Sequence, residues 1–138
     1  MRAAAATALS AVVLLTPGCG PSTSPRQPDR EEPVRRASFR SVAARDYLAT
    51  CPGAAARAET AYQVARHEEL RQLAARNGAG RAIALGENEW AGIGRYARRR
   101  PCQAGDASYR QALVEFSGAL DLLATRIAEH PTQEVNPQ

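Results

Sequence analysis

Apolar side chains recur every three to four residues over four stretches of the chain, and this spacing predicts helices. The longest such stretch is 107–129. There Tyr109, Ala112, Leu113, Phe116, Ala119, Leu120, Leu123 and Ile127 fall on one wide face. Ser108 and Gln111 have capping-box spacing, and Asp106 just before them supplies the negative charge that suits a helix N-terminus.

A second helix is predicted over 54–77, with Ala54, Ala58, Ala61, Tyr62, Ala65 and Leu73 as its stripe and Asn77-Gly78 as its stop. Glu69 falls inside that stripe. It is either a buried acid, or an acid that sits at the stripe's edge or pairs with an arginine. The stretch 78–86 reads as a connector carrying Ile83 and Leu85. A third helix is predicted over 87–100, where Trp90, Ile93 and Ala97 keep the spacing while Gly92 and Gly94 weaken it. Pro101 ends it. A short helix from about Ser41 precedes all of these and stops at Cys51-Pro52-Gly53, since the residue before a proline disfavours the helical region.

The N-terminal third reads differently. Residues 20–37 hold four of the nine prolines and show no hydrophobic period, so a disordered tether is expected. Before it, Arg2 is followed by an uncharged run from Ala3 to Leu15, too short for a membrane span and of the length of a secretory h-region. Gly18 and Cys19 follow. This segment, 1–19, resembles a bacterial lipoprotein signal, in which the chain is cut before a cysteine that becomes lipidated. The resemblance implies a lipid on Cys19 and a cell-envelope location, facing the periplasm or the cell surface. Ordinary secretion with cleavage near Gly18, or an uncleaved anchor, is the alternative. The expected organisation is therefore a signal at 1–18, a Pro-rich tether at 19–37, a helical domain at 38–130 and a polar tail at 131–138.

Export changes the meaning of the cysteines. With Cys19 lipidated, Cys51 and Cys102 remain, and a pair in an oxidising compartment reads as a disulfide. Two separate buried thiols are the alternative. A bond would also constrain topology. Cys51 precedes one long predicted helix and Cys102 the other, so both helices must start at the same end. The fold class is then all-α, a small up-down bundle of about four helices with one disulfide.

Composition adds less. Every one of the 18 basic residues is arginine, and the net charge is +4. Within 38–130, thirteen arginines face ten acids, an excess too small to indicate nucleic acid. His67 and His130 are far apart, and His67-Glu68-Glu69 lacks the second histidine of a zinc helix, so no metal or other cofactor is expected. No nucleophile elbow or P-loop is present, and enzymatic activity is not expected.

One stretch has the residue types of a recognition surface. Trp90, Arg95, Tyr96, Arg98, Arg99 and Arg100 combine aromatic rings with guanidinium groups, as binding hot spots do. Such a cluster could also hold the phosphate or carboxylate of an envelope polymer. On helical spacing Trp90 would face the core and the arginines water; a solvated face with no partner is the simpler alternative. The order Cys51, a helix, Glu89-Trp90, Arg95 and Cys102 also resembles the LprI-type lysozyme-inhibitor domain over 51–102. Those modules are small, helical and disulfide-bonded, with Cys51, Trp90, Arg95 and Cys102 at the matching positions here. The resemblance implies inhibition of a cell-wall hydrolase. The residues themselves point to a non-enzymatic binding module whose partner is an envelope protein or anionic envelope polymer. An inhibitor is the second reading, and a structural spacer the third.

Overall fold

The computed structural model describes residues 30–130 except Arg98. The signal segment, Cys19, residues 19–29 of the expected tether, Arg98 and the polar tail lie outside the described residues. Those that are described form an all-α bundle: α1 (Glu32–Ala49), α2 (Ala58–Arg76), α3 (Gly80–Ile93) and α4 (Asp106–Glu129), with a 3-10 turn at Ala54–Ala56 before α2.

The helices alternate in direction, and side-chain pairs fix the register. Between α2 and α4, Arg57 meets Asp106, Thr60 meets Tyr109 and His67 meets Phe116, so the two run parallel. Arg71 of α2 meets Glu87 of α3, while Gly80 packs on Ala75 near the turn, so those two are antiparallel. The α1 helix lies against both α3 and α4, and α2 closes on the same pair from the other side. Cys51 and Cys102 are bonded, with their Cα atoms 4.6 Å apart. The two long helices therefore start at one end, as the pairing of these cysteines requires. Phe116, Leu120, Leu123 and Ile127 of α4 are almost completely buried and fill the centre with Val34 and Leu48 of α1. A side chain of this kind stabilises the fold by about 1.5–3 kcal/mol when fully buried.

The first helix begins at Glu32, nine residues before Ser41, and takes residues 32–37 out of the expected tether. Pro33, which reads as a breaker, sits in the first turn, where a missing N–H costs nothing. The buried side of α1 includes Val34, Ala37, Ser38, Ser41 and Val42, and its serines hide the helical period from a hydrophobicity reading. Both are satisfied internally: Ser38 Oγ donates to the carbonyl of Ile83 at 2.8 Å, and Ser41 Oγ to that of Ala37 at 2.7 Å.

The α2 face is also not the expected one. Its buried residues are Thr60, His67, Leu70 and Ala74, while Ala58, Ala61, Tyr62 and Ala65 are exposed. Thr60 shares a 2.9 Å hydrogen bond with the Tyr109 hydroxyl, so a polar residue can occupy the core face. Glu69 is exposed, which excludes the buried acid.

Most of the predicted 78–86 connector is helix, and α3 stops at Ile93 rather than at 100. Gly86, inside this helix, sets how closely it packs. A Cβ there would stand 2.7 Å from Ser38 Cβ and 2.9 Å from the Phe39 nitrogen, so glycine is what lets α3 lie against the α1 backbone. At α4 the capping box does not form. Gly105, at φ +119°, is the N-cap, and Asp106 opens the helix. Asp106 pairs with Arg57 at 3.0 Å, and that hydrogen bond holds its carboxyl below the ordinary range.

Candidate functional site

The segment that leaves α3 crosses the outward side of α1 before reaching Cys102. Two contacts fasten it there. The Arg99 guanidinium stacks 3.9 Å over the Tyr47 ring and donates to Glu115 at 2.9 Å. The Cys102 N–H donates to Thr50 Oγ1 at 2.9 Å. Between this segment, α1, α3 and α4 lies a cleft of about 1160 Å³.

Trp90 stands in the cleft wall rather than in the core. Its ring meets Phe39 edge to face at 5.5 Å, and its Nε1–H donates to Asp46 Oδ2 at 2.6 Å. The buried side of α3 is Ala82, Ile83 and Gly86, and Trp90 continues that line only half-buried. Ile93 is 44% exposed and Ala97 is exposed, so the face expected from their spacing with Trp90 is not a core face. For Ala97 the reason is the early end of α3: past Ile93, its last residue, the spacing no longer describes a helix.

The arginine cluster is divided by the structure. Arg95 and Arg99 line the cleft with Trp90. Arg99 is engaged by Glu115, whose hydrogen bond raises its pKa, so it is not the free cation that helical spacing suggests. Arg95 lies over the Tyr96 ring at 4.8 Å, and Tyr96 is 77% exposed. Arg100 is exposed and does not line the cleft.

Charges within the cleft do not cancel. Its acids are held by neighbours: Asp46 by Trp90, Glu87 by Arg71, and Glu115 by Arg99. Arg40 and Arg95 line the same space and pair with no carboxylate among the described residues. The remaining lining is mostly apolar or small, including Val42, Ala43, Ala91, Gly118, Ala119 and Leu122. Sequence spacing could not find this site, because Arg40 lay just before the short helix expected from about Ser41 and nothing in the spacing set that helix against Trp90.

Behind the cleft floor lies His67, which the sequence reading weighed only as a metal ligand. It is 2% exposed, packs edge-on against Phe116 at 5.8 Å, and has Arg45 Nη1 3.4 Å from its Nδ1. Its Nε2 is buried without a hydrogen-bond partner. Burial, and then the Arg45 charge, push its pKa below the ordinary value. Among the described residues no group of three His, Cys, Asp or Glu side chains is arranged to hold a metal ion, and no helix is long and apolar enough to cross a membrane.

Comparison with known proteins finds no matching family model, no similar curated protein and no similar solved structure.

Proposed function

We propose that this chain is a lipid-anchored envelope protein whose helical domain is a non-enzymatic binding module, facing the periplasm or the cell surface. The observation that carries the reading is the cleft, where an aromatic wall and two uncompensated guanidinium groups meet in one concave surface. Ligand sites are typically concave and mostly apolar, with a few placed polar groups. The Cys51–Cys102 bond supports the exported half of the reading, since such bonds persist in oxidising compartments. Its partner would be an envelope protein or an anionic envelope polymer, reached while the lipid on Cys19 holds the module at the membrane.

A single experiment tests both halves. The full chain is expressed with its own leader and labelled with a fatty-acid probe, and the anchored protein is used to capture components of envelope extract. Label that disappears in Cys19→Ser, together with specific capture, is the expected result. Labelling that survives Cys19→Ser, or capture no better than that of an unrelated lipoprotein, overturns the corresponding half.

Inhibition of a cell-wall hydrolase is the second reading, and one observation favours it. Tyr96 projects from the segment after α3 with Arg95 beside it, which is the type of protruding side chain that can enter a cleft. Loss of lysozyme activity on titration with the domain, reversed by Tyr96→Ala, would support it.

A further inference from the structure

We propose that the cleft beside Trp90 binds a single-chain anionic amphiphile, an acyl chain ending in a carboxylate. This inference rests on the binding-module reading and names its ligand class. Charge decides the sign of the ligand. Each acid of the cleft already has a donor of its own, whereas Arg40 and Arg95 pair with no carboxylate among the described residues, so an incoming cation would meet repulsion and a carboxylate two open guanidinium groups. Hydrogen bonds from arginine to a carboxylate are among the strong ones. Lining decides the rest. The lining also offers Val42, Ala91, Ala119 and Leu122, which give an alkyl chain apolar contact that a wholly polar ligand could not use. A helical partner is less well accommodated, because Arg99 and Tyr47 hold the post-α3 segment across the α1 face.

Two features make the site testable. Trp90 is the only tryptophan of the chain, so its emission reports on the cleft wall. Gly118 lines the cleft, and a Cβ added there meets nothing within 4 Å. Gly118→Leu would therefore put a side chain into the ligand's space while leaving the helix intact.

The full-length processed chain is titrated with laurate below its micelle concentration, and with dodecyl maltoside and dodecyltrimethylammonium as neutral and cationic probes of equal chain length. Laurate is expected to change Trp90 emission saturably, and more tightly than either control. Arg40→Ala with Arg95→Ala should weaken laurate by about tenfold and erase its advantage over the neutral probe. Gly118→Leu should abolish the response while the protein unfolds at the same or a higher temperature. Equal affinity for the anionic and cationic probes, no saturable response, or laurate binding unaffected by Gly118→Leu overturns the inference. If laurate is silent while envelope capture persists, the ligand class is wrong and the binding module stands. If both fail, the binding module falls as well.

Discussion

The Trp90 indole N–H reaches across the groove to the Asp46 carboxylate at 2.6 Å, which ties α3 to α1 beside the cleft. With the bond made, the ring stands near a right angle to Phe39 and lines the cleft. Trp90→Phe keeps the ring contact and removes the donor. It should cost about 1 kcal/mol, and a double-mutant cycle with Asp46→Ala should show the two changes to be coupled rather than additive. Additive losses in chemical denaturation would mean that the bond contributes nothing.

Gly86→Ala is the more damaging change. The added carbon would meet Ser38 Cβ at 2.7 Å, and backbone atoms of α1 that cannot rotate away. Overpacking of this kind costs typically 1–3 kcal/mol. It opposes the gain of about 1 kcal/mol that replacing a helical glycine otherwise brings. A lowered unfolding temperature is expected, and Gly118→Ala, made in open space, should raise it.

Loss of the disulfide should be felt across the domain. Cys51→Ser with Cys102→Ser opens a loop of sequence separation 51. By the chain-entropy relation, this removes about 4 kcal/mol. Unfolding in urea should shift to a lower midpoint, and the oxidised protein treated with reductant should follow the double mutant.

His67 gives the domain a pH dependence above that of its carboxylates. Around it stand Arg45 from α1, Glu68 and Arg71 from α2, Glu87 from α3 and the Phe116 ring from α4. Burial first, then Arg45, lowers its folded pKa from the ordinary 6.5. The unfolded chain then binds more protons just below that value, so stability is fully present above it and declines as pH falls. Unfolding temperature should drop between pH 7 and the folded pKa, and His67→Leu should flatten that slope. Glu32, Glu68 and Asp106 have lowered values through bonds to arginine, so their contribution is lost only in more acid solution. A slope unchanged in His67→Leu would assign the effect to another group.

What could be read from the residues follows what hydrophobicity can encode. In α4 every deeply buried position is apolar, and its face was legible from Tyr109 to Ile127. The disulfide was legible from cysteine number and the expectation of export, and with it the common end of the two long helices. The α1 and α2 faces were not legible, because Ser38, Ser41, Thr60 and His67 occupy buried positions through partners distant in sequence or through their own helix. The first half of α3 was hidden for the opposite reason: Gly86 looks like a weak helix former until the α1 backbone is seen against it. Of the candidate site, Trp90 and Arg95 were found from residue type. Arg40 and Asp46 were not, since only the packing of α3 and the segment after it against α1 places them beside Trp90 and Arg95.

The same bond that sets the bundle's topology also sets the path of mechanical tension through it. With Cys51 joined to Cys102, a pull applied at the two ends of the chain passes from α1 through the sulfur bridge into α4. The α2–α3 hairpin hangs from that bridge as an unloaded ring. Stretched in a single-molecule experiment, the oxidised chain should come up about 170 Å shorter than the reduced one, at 3.3–3.6 Å for each residue of the ring. A force of this kind would thus stretch the chain without drawing α2 and α3 out into the solvent.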